Sequence, residues 1–493
     1  MTTIGQLARK SAQAYPKKTA VKYGERIITY AELLTRAEAL TAFFAGQQLQ
    51  KGDRIGILMS NRAEHIELDV AISLAGFVKV PINYRLHPKE MDYQVAHSGM
   101  SFIIGEQTLI EQLSTTLPKL YVGEDYEAIM AEFAGQAQLA EVTEDDLMAI
   151  MYTSGTTGNP KGVMLTHRNM VSGALSLAIA CEVSFDDKIG HVAPLTHGAN
   201  FLSHVAWLYG LTQVVYDKFE PESFIQHLQQ DEVTTIFLVP TMVNLMIQHD
   251  AFDASYLSTI KSINMAGSPI AAAKLQEALD KCGTKFVQTY GQVEGPMCIS
   301  IMPRNELASR LHSCGRVGPF VDVRIVGEDG KALPIGEVGE ICAKGPLVMK
   351  GYWENEEATK DTIRDGWLHT GDLGRIDEEG YLYIVDRKKE MIISGGVNIY
   401  PREVEEVLNK HPHVKETCVI GIPDDKWGES VIAYVVPNHR GEVAAEELLA
   451  LCKEHLASFK KPKEIHIVDA LPKSSYGKIL KRELVQQHMG VSS

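Results

Sequence analysis

The alternation of apolar and polar positions predicts strand and helix in turn through the first half of the chain. Ile27–Tyr30 is β-prone, and the spacing of Leu33, Leu34, Ala37, Leu40 and Phe44 gathers them on one helical face. Gly52 and Asp53 turn the chain into the apolar run Ile55–Met59. An amphipathic stretch then runs to Ala75, and Val78–Ile82 reads as the next strand. The same rhythm returns at Thr234–Val239, at Ser262–Met265, over the helical Ala271–Lys281 and at Lys285–Thr289. Strand, helix and strand in repetition predict an α/β fold with parallel sheets covered by helices.

After about Gly315 the segments become short, Gly-rich and hairpin-like, with Val321–Val326 and Gly339–Ala343 as strands and a tight turn at Asp329-Gly330. This predicts a β-rich subdomain. From about Arg387 helix and strand mix again: Pro401–Leu408 reads as a helix with Pro401 in its first turn, and Cys418–Ile422 and Ser430–Val436 read as strands. The charged run Asp386–Glu390 is the expected interdomain hinge, with a solvated hairpin turn as the alternative. The expected division is a large N-terminal domain over 1–388 and a small, mobile α+β domain over 389–493.

Composition narrows the classes. The chain has 493 residues, 45% hydrophobic and 23% charged, as in a folded protein of several units. The 63 acidic against 48 basic residues leave a net charge of -15, which disfavours wrapping nucleic acid. No apolar run approaches the roughly 20 residues that span a bilayer, and the N-terminus shows no signal-peptide pattern. Seven scattered cysteines, none in CxxC spacing, read as reduced thiols of a cytoplasmic protein.

The chemistry concentrates in a few segments. Thr153-Ser154-Gly155-Thr156-Thr157-Gly158-Asn159-Pro160-Lys161-Gly162 leaves the apolar run Leu147–Met151. Its small residues admit close backbone approach, its hydroxyls and successive N–H groups make an anion nest, and Lys161 adds charge. The spacing is not that of a Walker A loop. This segment resembles the phosphate-binding signature of the adenylate-forming superfamily, which includes acyl-CoA synthetases. Further motifs of that family follow in order and cover nearly the whole chain: Pro194–Gly198, Ala266–Pro269, Gln288–Glu294, Asp365–Asp372, Tyr383–Glu405 and Pro472–Lys478.

The resemblance implies a role for each matching residue. Thr153, Ser154, Gly155, Thr156, Thr157, Gly158 and Lys161 would cradle phosphates, and Ser268, Thr289, Tyr290 and Gly291 would border the nucleotide, with Tyr290 stacked on adenine. Asp372 and Arg387 would hold the ribose, Glu294 would hold Mg²⁺, and His197 would gate the acyl pocket. Lys389 would be the hinge, Ser394, Gly395 and Gly396 would line the coenzyme A tunnel, and Lys478 would be the catalytic lysine. One departure stands out: Val293 occupies the position where the family usually has Thr, so either Thr289 or water supplies that hydroxyl or adenylation is weaker.

The implied activity is a two-step ligation that uses ATP, Mg²⁺ and coenzyme A, with adenylation of a carboxylic acid followed by thioester formation. The segments expected to line the acyl pocket are mainly apolar or small and lack an Arg beside Tyr290. That disfavours dicarboxylic and amino acids and leaves fatty and aromatic acids; a medium- or long-chain fatty acid is the expected substrate, with an aromatic acid as the alternative. A separate carrier protein is the competing acceptor, and luciferase-like oxidation a more distant possibility. A nucleotide-binding protein without catalysis is the reading from a different class, resting on Val293. Oligomeric state is left open, a homodimer included.

Overall fold

The computed structural model describes residues 2–153, 160–438, 443–473 and 479–490. Two large sheets and one small one organise them. The seven-stranded sheet has its parallel centre at Val78–Pro81, Arg54–Leu58 and Phe102–Gly105, and ends on Leu147–Thr153, Lys161–Thr166 and Gly351–Tyr352. The fourteen-stranded sheet starts at the hairpin Thr19–Tyr23/Arg26–Thr29. It continues through Thr212–Val215, Lys188–His191, Thr235–Leu238, Ser262–Met265 and Phe286–Gln292. Beyond Phe286–Gln292 the pairing turns antiparallel, through Gly295–Met302, Gly315–Val317, Tyr381–Arg387, Trp367–Ile376, Gly339–Lys344 and Asp322–Val326. The β-rich stretch expected after Gly315 thus continues the same sheet, joined to the parallel set through Gly295–Met302.

Local signals explain the main helices. Thr29 caps Tyr30–Gly46 through a reciprocal capping box with Glu32. The helix Ala63–Ala75 is buried at every position, because helices Ile4–Ala14 and Tyr30–Gly46 pack on it from one side and strands from the other. Its polar residues therefore need internal partners. Asp69 accepts from the Lys79 ammonium and bonds His204 Nε2 at 2.7 Å, and Lys79 also donates to Asn200 Oδ1. All four side chains are buried. Burial alone would raise the Asp69 pKa, but the Lys79 ammonium, helped by the His204 hydrogen bond, holds it far below the carboxylate range. Nothing in the sequence flagged this cluster.

The five-stranded sheet contains only strands from Ile392 onward: Val397–Ile399, Ile392–Ser394, Gly428–Pro437, Val414–Asp424 and Glu464–Ile467. Helix Pro401–Leu408 packs on it, and its core is separate from those of the large sheets. All seven cysteines are free and buried. No helix among the described residues is long and apolar enough to cross a membrane.

Candidate active site

The strand Phe286–Gln292 and the start of Gly295–Met302 form a tight hairpin, with Gln292 paired to Gly295 and Val293-Glu294 at the turn. Side chains alternate along a strand, so Gln288, Tyr290 and Gln292 share one face and Thr289 takes the other. Gly291 sits in a bulge where a Cβ would lie 2.6 Å from Met297 N, so only glycine fits. Tyr290 donates its hydroxyl to Asp372 Oδ2 at 2.7 Å. Gln292 Nε2 donates to the same oxygen at 2.7 Å and to Thr370 O at 2.9 Å.

Asp372 and Arg387 are direct register partners in the antiparallel pair Trp367–Ile376/Tyr381–Arg387. Arg387 Nε lies 2.9 Å from Asp372 Oδ1. Two residues 15 apart in sequence are thus joined by strand pairing. Burial works against the Arg387 charge, but Asp372 and then Glu390 outweigh it and hold the guanidinium pKa above its usual value. Burial, followed by the Asp372 charge, drives the Tyr290 phenol well above its ordinary pKa, so it remains a donor.

A second cluster joins the two large sheets. Tyr352 pairs with the Lys161–Thr166 strand, and its hydroxyl donates to Glu294 Oε1 at 2.9 Å. Lys161 Nζ lies 4.6 Å from the centre of the Tyr352 ring, a cation–π arrangement. Met349 N donates to Glu294 O at 2.9 Å. The segment 349–352 therefore ties Lys161 of one sheet to Glu294 of the other. Glu294 is a hard carboxylate oxygen donor held in place through one oxygen, which suits Mg²⁺.

Pro194–Gly198 turns into the buried helix Ala199–Tyr209, with His197 N donating to Pro194 O at 3.1 Å. The His197 ring bonds Thr196 through Nδ1 at 2.7 Å. Burial, with Arg85 adding repulsion, pushes the imidazole down to about 3, so it is neutral at ordinary pH. Beside it, a Cβ on Gly198 would meet Met297 Sδ at 3.4 Å and Phe237 at 3.9 Å, and one on Gly267 would meet Val239 at 3.5 Å. The surface beside His197 is apolar.

Structure and sequence agree on some groupings and part on others. Tyr290, Gly291, Asp372 and Arg387 come together, as do Lys161 and Glu294. Thr153 ends its strand as the register partner of Lys161. Ser268 is an exposed residue in the bend after Ser262–Met265. Thr289 is buried on the face opposite Tyr290, and its hydroxyl accepts from Asn264 Nδ2 at 3.1 Å. The expectation that Thr289 replaces the hydroxyl missing at Val293 is therefore corrected: strand alternation turns it away. Val293 itself packs against the main core.

Lys389 is exposed in the turn after Tyr381–Arg387. Ser394 ends a short strand whose hairpin turns at Gly395 and Gly396, with φ of 60° and 76°, the left-handed pair that a two-residue hairpin needs. Ser154, Gly155, Thr156, Thr157, Gly158 and Lys478 lie outside the described residues. Gln292 and Tyr352 were assigned no role from sequence. Gln292 lies inside the Gln288–Glu294 motif, where alternation with Tyr290 is its signal; Tyr352 lies in no motif.

Comparison with known proteins agrees with this geometry. The chain matches the AMP-binding enzyme family over residues 8–353 and the AMP-binding enzyme C-terminal domain over 403–478. It is 37% identical over 490 residues to feruloyl-CoA synthase of an Amycolatopsis species, covering 98% of each chain. It is 34% identical over 490 residues to 2-succinylbenzoate–CoA ligase of Bacillus cytotoxicus, covering 99% of each. Among solved structures, ATP-bound MatB from Rhodopseudomonas palustris aligns with a TM-score of 0.92 at 30% identity over 100% of both chains. The o-succinylbenzoate-CoA synthetase (MenE) of Bacillus subtilis with the acyl-adenylate OSB-AMP aligns at 0.89, with 33% identity over 98% of both. The chain belongs to the adenylate-forming AMP-binding enzymes, as an AMP-forming acyl-CoA synthetase.

Proposed function

We propose that this enzyme joins an aromatic carboxylic acid to coenzyme A at the expense of ATP, releasing AMP and pyrophosphate. The observation that carries the aromatic reading is the 37% identity, over 98% of both chains, with a feruloyl-CoA synthase. The 2-succinylbenzoate ligases point the same way. The fatty acid expected from sequence finds no support among these relatives. The apolar wall of Phe237, Val239 and Met297 beside glycines 198 and 267 suits a flat ring.

In the first step a carboxylate oxygen attacks the α-phosphorus of ATP, the bond to the β-phosphate oxygen breaks, and pyrophosphate leaves. Repulsion between anions is the main obstacle, so positioning and charge neutralisation dominate. Lys161 and the segment 153–158 hold phosphates, and Lys478 bridges the acid and the α-phosphate. Glu294 holds Mg²⁺, which supplies charge neutralisation when bound. Asp372 and Arg387 take the ribose. A carboxylate offers about four acceptor sites. Three donors already occupy Asp372 here, so binding a diol displaces Tyr290 or Gln292. In the second step the thiolate of coenzyme A attacks the acyl carbonyl, and AMP leaves with the former carboxylate oxygen.

The division at 388/389 belongs to the same proposal. Residues 389–493 turn about Lys389 between the steps, withdrawing Lys478 and presenting Ser394, Gly395 and Gly396 to the thiol arm. The test is pyrophosphate release with ATP and Mg²⁺ across ferulate, benzoates, 2-succinylbenzoate, fatty acids and amino acids, with and without coenzyme A, and with thioester confirmed by mass. Aromatic acids should give the highest kcat/KM. A fatty acid preferred over every aromatic acid refutes the substrate assignment, and acyl-AMP without thioester refutes coenzyme A as acceptor.

A further inference from the structure

We infer that the C-terminal sheet carries a binding site for a divalent transition-metal ion, formed by Glu464, His466 and His488, that pins the terminal helix. These three side chains place one ligand atom each within 4.8 Å of the others. Strand alternation puts Glu464 and His466 on one face of Glu464–Ile467 and sends Ile465 into the core on the other. The parallel register sets Tyr434 beside His466 and Ile432 beside Glu464. Helix Lys481–His488 lies on that same face, against strand Val414–Asp424, and Leu484 joins Cys418, Ile420, Ile432 and Tyr434 in one core cluster with Val485 at its edge. His488 stands one turn beyond Leu484 on the same helical side, so the packing that buries Leu484 carries the imidazole to the outer strand.

Tyr434 holds both rings in place. His466 stacks on Tyr434, with centroids 5.0 Å apart and planes at 24°. His488 Nδ1 bonds the Tyr434 hydroxyl at 3.0 Å, an outer-shell contact that leaves Nε2 as the ligand nitrogen. His466 Nε2 and Glu464 Oε2 are 3.1 Å apart. Tetrahedral zinc with bonds of about 2.0–2.1 Å separates its ligands by about 3.3 Å. This pair is already at that spacing. Two imidazoles and a carboxylate are a zinc-type donor set with a fourth place for water, and the half-exposed site is open to an ion from solvent.

The position matters for the chain around Lys478. On the two sides of 474–478, Lys473 and Ile479 form an isolated bridge and Leu480 N donates to Pro472 O at 2.9 Å. The helix that follows is eight residues long with one buried side chain, Leu484. Lys481 ties its start to Glu390 at 2.9 Å, and a metal at His488 ties its end.

The test uses the full chain, freed of metal with a chelator, without nucleotide, and titrated with Zn²⁺ against a chromogenic chelator. Wild type should bind one more Zn²⁺ than His466→Asn/His488→Gln. Glu464→Gln, which leaves both rings in place, should bind at least about tenfold more weakly than wild type. Backbone hydrogen exchange over 481–488 should slow with Zn²⁺ in wild type and not in the double variant. Equal stoichiometry and affinity in all three proteins overturns the site. Zinc binding that leaves exchange over 481–488 unchanged overturns the pinning. Neither readout depends on the ligase reaction, so the metal site and the proposed function fail separately.

Discussion

Asp372→Asn tests the arrangement on which nucleotide recognition is built. Tyr290, Gln292 and Arg387 all address one carboxylate, of which only 4% is exposed. Asn keeps the shape and one acceptor oxygen, but removes the charge and aims an NH₂ group at one of the former donors. A hydrogen bond to a charged partner contributes about 1.5–3 kcal/mol. The Arg387 side chain is 40% exposed, so water recovers part of its lost pairing. Fold stability should therefore fall by only about 1–2 kcal/mol. The two ribose hydroxyls lose a charged acceptor, and at about 2–3 kcal/mol the kcat/KM for ATP should fall about 30- to 150-fold. ATP–pyrophosphate exchange at varied ATP measures this, and urea unfolding measures stability. The KM for the acid should hardly move. A KM for ATP within twofold of wild type would mean that Asp372 only clamps Tyr290 and Arg387, and would refute its role at the ribose.

Three further outcomes follow from the same geometry. Val293→Thr should raise the pyrophosphate-exchange rate if the missing hydroxyl limits adenylation, at a cost of about 1 kcal/mol for a hydroxyl in a half-buried apolar site; an unchanged or lower rate means the hydroxyl is not limiting. Lys478→Ala should abolish adenylation yet spare thioester formation from supplied acyl-adenylate, and equal loss of both half-reactions contradicts domain alternation. His65, His167 and His191 are each pushed by burial to about 4 from 6.5, so they are neutral in the fold. Their contribution is complete above pH 6.5 and is lost as pH falls toward 4. Each should remove roughly 2 kcal/mol between pH 7 and pH 5, against an opposite contribution from Glu67 and Asp386, whose burial raises their pKa values. The urea midpoint should fall over that interval, and a flat or rising midpoint would show that these histidines do not set it.

The sequence by itself determined the elements and the kind of chemistry. Ser262–Met265 and Pro401–Leu408 form as the pattern predicts, because strand and helix periods and a proline in the first turn are local properties. The order of motifs identified the adenylate-forming family before any contact was known. Tertiary structure decided which face each residue serves. Thr289 and Tyr290 are neighbours in sequence, yet the pleat sends one toward Asn264 and the other to Asp372. Tyr352 carries no motif, and only the pairing of its strand with Lys161–Thr166 brings it between Lys161 and Glu294. The buried Lys79, Asp69 and His204 come from three separate segments and meet only because the packed helix Ala63–Ala75 must satisfy its charge internally. Local sequence specifies period and propensity, whereas register and packing, set by contacts far apart in the chain, specify which groups share a site.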